Sequence, residues 1–312
     1  KTGSVANPNL LADNSIYEPP EFVELEPPES GYQYHVGPFE VPPQKEKEFL
    51  YYVPPLMTED MFIERVQISM RPGSHHLIMY TFNYLPDAII PEPNTIRDMH
   101  DGFGNYIIQN IIATQYHKFV TGTQWSALDY HFPPGVALRV PPDFGFDLNS
   151  HYINYTDEPI IGEVFTNIHT IPLSDVEHVA EILMLNNYDF SLPPNQITTW
   201  ERTYMYNDVL DESGLDPNAD IIYIFQLFSH AHEHMIRFDI ELVNNEGNSE
   251  LIYTAMDWEH PPILDINPPL TLSPDEGLKM VVTYNNWTNE ELKFGLLSVN
   301  EMMIIFGYVY TD

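Results

Sequence analysis

Six residues of this chain are of the types, and fall in the order, of ligand sets for a redox-active metal. His75 and His76 sit in RPGSHHLIMYTF and His151 in LNSHYINYT. His230 and His232 sit in FQLFSHAHEHMIRF, and Met302 in SVNEMMIIFGYVY. Three histidines, then two histidines and a methionine, make two complete ligand sets for copper. Imidazole suits copper in both oxidation states, and the softer thioether favours Cu(I). A protein that must hold Cu(I) open to dioxygen would use these residue types. The chain has no cysteine. Disulfides and thiolate zinc sites are thereby excluded, and any metal must be held by His, Met, Asp or Glu.

The elements that must position these residues read as strands. Ile236, Phe238, Ile240 and Leu242 alternate with Arg237, Asp239 and Glu241, the period of a half-buried strand. Alternate residues of a strand share a face, so His230, His232 and His234 are expected on one inward face if no bulge intervenes. His75 and His76 are adjacent and would diverge on a regular strand. Joint ligation needs a local twist, which Pro72-Gly73 could supply. A lone Met302 in an apolar strand would ordinarily be core filler.

Further strand expectations are His76–Phe82, Ala137–Val140, Ile160–Ile171, Ile221–Phe228, Met235–Val243, Leu251–Met256, Lys279–Tyr284 and Glu301–Tyr310. Pro-Pro pairs punctuate the intervals. The only plausible helix lies around Asp175–Met184, a segment also readable as a strand. The expected architecture is all-β, built from antiparallel sandwiches. Two domains are expected, 1–172 with the three-histidine set and 173–312 with the His-His-Met set. Residues 1–40, rich in Pro and Glu, read as an extended arm or edge segments.

Charge narrows the partners. Twelve basic residues stand against 46 acidic ones, a formal charge of −34. Nucleic acid is excluded as a partner, because little here could neutralise phosphates. An anionic membrane surface is disfavoured for the same reason, and no apolar run is long enough for a membrane-spanning helix. Such charge speaks first to solubility, in a medium whose salt screens self-repulsion. The chain starts at Lys1 without an initiator methionine, as expected of a mature or trimmed form, so export is not read directly from it.

The order HH, HYxN, HxH and EM, in the stretches SHHLIMY, YHFPPGVALRVPP, LNSHYINYTDEP, FSHAHEH, VVTYNNWTNEE and NEMMIIFGYVY, resembles the copper type II, ascorbate-dependent monooxygenases. That family includes peptidylglycine α-hydroxylating monooxygenase and dopamine β-monooxygenase. The stretches span about residues 60–310. The resemblance implies two jelly-roll-like β-sandwich domains, each with one copper, facing across a cleft. It implies that His75, His76 and His151 ligate an electron-storing copper. His230, His232 and Met302 would ligate the copper that meets dioxygen and substrate, with ascorbate as the usual reductant. The partners are then O2 and a small-molecule substrate, and the location is outside the cytoplasm.

The chain departs from the family in ways that bear on substrate. The two enzymes just named are disulfide-rich, whereas Met303 stands here where they have a cysteine, which points to a bacterial-type relative. The peptide-hydroxylating branch grips a substrate carboxylate through an arginine before HxH and through an asparagine and a tyrosine after the methionine. Phe228, Ile304 and Phe306 occupy those positions. A less polar substrate is therefore expected.

His234 is read as an orienting group or a substitute ligand. His35, His100, His117, His131, His169, His178 and His260 lack ligand spacing and read as structural, with His117 and His131 also weighed as cleft-lining. Asn154-Tyr155-Thr156 and Asn286-Trp287-Thr288 match the glycosylation sequon and are read as coincidence. A non-catalytic copper-capture protein is the alternative function. A cupin-like single-metal enzyme fits worse, because Ile236 and Arg237 stand where that pattern wants a glutamate.

Overall fold

Runs of branched and aromatic residues broken by proline and asparagine fold here almost entirely as antiparallel strands. The computed structural model describes residues 21–295 and 300–312. It divides into two units at Glu177/His178. The division expected at 172/173 moves because the Glu177 N–H donates to Gly135 O at 2.7 Å, holding the intervening residues to the first unit.

The first unit contains β1 (Gly31–Val41), β2 (Lys45–Val53), β3 (Met61–Met70), β4 (Ser74–Phe82), β5 (Ile96–Asp98), β6 (His117–Thr123), β7 (Ala127–His131), β8 (Val136–Val140), β9 (Phe146–Asn154) and β10 (Ile160–Thr170). One face has the order β1-β10-β3-β8, with β7 also paired to β3, and the other β5-β2-β9-β4-β6. The second unit contains β11 (His178–Asn186), β12 (Ser191–Leu192), β13 (Gln196–Met205), β14 (Ile222–His230), β15 (Met235–Asn244), β16 (Ser249–Ala255), β17 (Leu264–Leu272), β18 (Glu276–Asn286), β19 (Leu292–Lys293) and β20 (Ile304–Thr311). Its faces run β11-β20-β14-β17 and β13-β18-β15-β16, beside the short pair β12-β19.

Strand for strand, the two orders are the same. β1-β10-β3-β8 corresponds to β11-β20-β14-β17, and β2-β9-β4-β6 to β13-β18-β15-β16. This is jelly-roll connectivity, two interlocked Greek keys that close an antiparallel sandwich. The fold is all-β, as expected.

Alternation builds the second core. Leu278, Met280, Val282 and Tyr284 of β18 point inward and pack with Phe238, Ile240 and Leu183. In the first unit, β9 is buried nearly throughout. Leu148 and Tyr152 enter the core, while Asp147, Asn149 and His151 line the opposite face under the excursion between β4 and β6, which carries the helical turn α1 (Ile108–Ile111). Arg97 of that excursion contacts the fully buried Asp147 at 2.5 Å, and His117 reaches the other carboxylate oxygen at 3.1 Å. The buried charge is thus compensated from two sides.

Both NxT motifs are structural locks on the turn leaving the strand. Asn154 Nδ2 donates toward the carbonyls of Val41, Pro42 and Glu158, while its Oδ1 accepts from Thr156 N–H and Oγ1–H. Asn286 repeats the pattern with Leu192, Pro193 and Glu290, and with Thr288. The asparagines are 1% and 0% exposed, so the sequon match has a packing cause.

Several expectations are corrected. Residues 1–20 of the expected arm lie outside the described residues. The remainder is no loose arm: Gly31–Val41 is an edge strand paired to β10. Residues 21–30 are fastened by Asn167 Nδ2 to Glu26 O (2.8 Å) and by the Arg71 guanidinium over Phe22. The segment read as a helix or a strand at Asp175–Met184 forms β11, whose hydrogen bonds are met by β20.

The longer helix is instead α2 (Tyr206–Ser213). It is capped by Asp208, which accepts the Met205 N–H, and closed by Gly214 at φ +65°. In β15 a bulge at Ile236 breaks the expected face, leaving Met235 buried and Ile236 exposed. Among the described residues, no helix is long and apolar enough to cross a membrane.

Candidate metal centres

In the first unit, a β-bulge solves the problem of two adjacent histidines. Ser74 pairs with Tyr152 and His76 with His151, so β4 spends one extra residue, His75, between two neighbouring residues of β9. A bulge turns successive side chains toward the same side. It follows Gly73, whose φ of +92° would strain any side chain; a Cβ there would also have to displace the end of the Ile160 side chain, whose Cδ1 it would meet at 2.4 Å. The result is a cluster of His75, His76 and His151 whose donor atoms lie within 4.8 Å of one another. The ring centroids are 4.9 to 5.3 Å apart.

The tautomers follow from the neighbours. His76 Nε2 is 2.6 Å from Asn149 Oδ1, an acceptor only, so that nitrogen carries the proton. Its Nδ1 faces His75 Nδ1 at 3.1 Å. His151 Nε2 lies 3.1 Å from Glu46 Oε2, which likewise makes Nδ1 its ligand nitrogen. That hydrogen bond, with His100 and His75 nearby, holds the Glu46 carboxyl below the usual carboxylate range against the opposing effect of burial. Asn149 is itself oriented by its Nδ2 donating to Glu48 Oε1 and Phe49 O, each at 3.3 Å. Imidazoles oriented through their second nitrogen are the usual architecture of a metal-binding histidine. Two nitrogens 3.1 Å apart also match the spacing of ligands that share one ion at about 2.0–2.1 Å. The donor set fits copper.

In the second unit, the three histidines of SHAHEH do not share a strand face. β14 ends at His230, and residues 231–234 form the turn that crosses to β15 in the other sheet. His230 and His232 stay together, with ring centroids 5.3 Å apart and nearly perpendicular. His232 Nδ1 donates to Asn300 O at 3.0 Å, making Nε2 its candidate ligand atom. His234 departs from them: it is 1% exposed and stacks on Trp287 at 4.1 Å. Its Nδ1 comes within 3.3 Å of Glu301 Oε1, off the hydrogen-bond direction, so neither ring nitrogen is hydrogen-bonded. Burial lowers its pKa and keeps it neutral.

Met302 stands two residues before Ile304, on the approach to β20. Ile304 pairs with His230, the last residue of β14, and the Glu301 carboxylate joins the backbones of His232 and Met302. Both are nearly buried, at 7% and 8% exposure. Beside His230, Phe228 and Phe306 are register partners stacked at 5.5 Å, with Phe306 6.3 Å from the His230 ring. The group next to the histidines is therefore an apolar aromatic pair.

Sequence reasoning missed the orienting groups Asn149, Glu46 and Asn300, and also Glu301. The Glu301 side chain is wholly buried and accepts the N–H groups of His232 (2.9 Å), His234 (2.8 Å) and Met302 (3.2 Å). Burial, outweighing these hydrogen bonds, pushes its pKa up to about 7. The one available signal for the first site was the period-two run Asp147, Asn149, His151. A third cluster, Asp257, Glu259 and His260, also groups potential donors. It is an Asx turn in which Asp257 Oδ1 accepts the N–H groups of the other two.

No family model matches the chain, and no curated protein matches it. Among solved structures it is similar to the PBSX exported protein XepA, at 9% identity over 94% of this chain and 90% of that one, with TM-score 0.22. It is similar to the VP2 subviral particle of infectious bursal disease virus at 8% identity, over 98% and 77%, with TM-score 0.22. It is also similar to the CBM22 tandem domain of Paenibacillus barcinonensis Xyn10C at 9% identity, over 87% and 80%, with TM-score 0.20. Likeness at this level carries no argument about family or function.

Proposed function

We propose that this protein is a copper-dependent monooxygenase. It hydroxylates a C–H bond of a small, apolar organic substrate, using dioxygen and an external reductant such as ascorbate, and works outside the cytoplasm. The observation that carries the reading is the bulge-made convergence of His75, His76 and His151, together with the paired rings of His230 and His232 in the other unit. Copper held by these sets would supply the one-electron steps and the dioxygen activation that side chains alone lack. The overall balance is R–H, O2, two electrons and two protons giving R–OH and water, with the reductant supplying the electrons.

The chain's own residues have definable tasks. Asn149 and Glu46 fix which nitrogens of His76 and His151 face the ion, and the Asn300 carbonyl does so for His232. A set of three imidazoles has no soft ligand, which suits repeated change of oxidation state. Replacing one imidazole by a thioether biases the second set toward Cu(I). Phe228 and Phe306 offer a hydrocarbon or aromatic substrate a surface that excludes water next to His230.

The test is copper per chain after loading and desalting, followed by oxygen uptake with ascorbate across benzylic and aliphatic compounds. Two equivalents with substrate-dependent uptake is the expected result. One equivalent without uptake moves copper capture ahead, and none overturns the reading.

A further inference from the structure

We propose that Glu301 is the positioning residue of the second site, joining the histidine turn to the methionine strand through a single carboxylate. The inference rests on the copper reading above, because it concerns how that site is assembled.

The candidate ligands of this site come from chain segments about seventy residues apart, the β14–β15 turn and the approach to β20. The Cβ atoms of a turn are free to drift unless its backbone is held. Here the holding group is Glu301. Oε1 accepts the His234 N–H at 2.8 Å, and Oε2 accepts both the His232 N–H at 2.9 Å and the Met302 N–H at 3.2 Å. One oxygen thus fixes, relative to each other, the backbone of a histidine ligand and that of the methionine ligand. The preceding carbonyl, Asn300 O, fixes the His232 ring from the same segment. The side chain is 0% exposed, so water does not compete for these bonds. Tyr284 supports the same strand by donating its hydroxyl to Met302 O at 2.6 Å.

Glutamine is not a conservative replacement here. Both carboxylate oxygens accept backbone N–H groups, so either orientation of an amide sets its NH2 against an N–H donor. The loss falls on alignment of the ligands and leaves their identity unchanged. Orienting partners of this kind typically govern about 10- to 100-fold of metal affinity.

Wild type, Glu301→Gln and Met302→Ile are loaded with Cu(I), and X-ray absorption reads the sulfur shell while a competing chelator reads affinity. Wild type is expected to bind two coppers with a Cu–S contribution. Met302→Ile should lose the sulfur shell. Glu301→Gln, with Met302 intact, should also lose it and bind the second copper at least tenfold more weakly. Trp200 and Trp258, packed on the core of this unit, report folding by near-ultraviolet circular dichroism. Should Glu301→Gln unfold, Glu301→Asp, which keeps the charge on a shorter stem, is read the same way. A folded Glu301 variant that keeps both affinity and sulfur shell overturns the positioning role alone. A wild type without a sulfur shell overturns the two-copper reading and this inference with it.

Discussion

Replacing Asn149 with alanine isolates the contribution of one orienting group to the three-histidine site. Asn149 Oδ1 accepts from His76 Nε2 at 2.6 Å, where the His76 side chain is 16% exposed and Glu48 Oε1 stands 3.8 Å from the same nitrogen. Deleting the acceptor leaves a largely buried N–H less well satisfied, which costs about 1–3 kcal/mol. Part of that cost is common to the metal-free and metal-bound states and cancels in the affinity. The rest does not cancel, because a ring bound to a cation is a stronger donor and its hydrogen bond is charge-assisted. A surviving difference of about 1.4–2.8 kcal/mol corresponds to a 10- to 100-fold weaker site.

The assay is Cu(I) competition against a chromogenic chelator in a Met302→Ile background, which leaves the three-histidine site to report. The thermal midpoint of the first unit is followed in parallel to separate affinity from folding. An affinity change below about threefold, small against the expected tenfold or more, would show that the Asn149–His76 bond does not orient a metal ligand.

Two further outcomes follow from the same physical arguments. Asn154→Ala and Asn286→Ala each remove a buried amide that satisfies several backbone groups, and each should cost roughly 3 kcal/mol, or about 6–12 °C in a unit of this size. Calorimetry should show Asn154→Ala lowering the transition of the first unit and Asn286→Ala that of the second; shifts of a degree or less would deny the locking role. Copper retention should fall as pH drops below about 6.5, because protons compete for imidazole nitrogens that must be neutral to ligate. Equal copper after dialysis at about pH 5 and about pH 7.5 would rule out histidine ligation at both sites.

The all-β class was legible because strand alternation is local. Val66, Ile68 and Met70 of β3 announce their strand without reference to any partner, and all three are buried. β9 was illegible for the opposite reason. Its Asp147, Asn149 and Ser150 look like loop residues, yet they are buried because both faces of the strand are covered, one by the core and one by the excursion over it. The short α2 was missed because its cap, Asp208, and its αL stop, Gly214, flank too few turns to produce a periodic pattern.

Residue types determined the candidate ligands. His75, His76, His151, His230, His232 and Met302 are named by their chemistry and order, and the absence of cysteine by itself removes thiolate sites. Tertiary structure alone decided how they could meet. A bulge is a mismatch of register between two strands, so the convergence of His75 with His76 exists only once β9 is laid beside β4. The expected common face of His230, His232 and His234 fails because the chain crosses between sheets after His230, sending His234 to Trp287. Glu301 serves N–H groups more than sixty residues away, a long-range satisfaction of buried polar groups that no local pattern encodes.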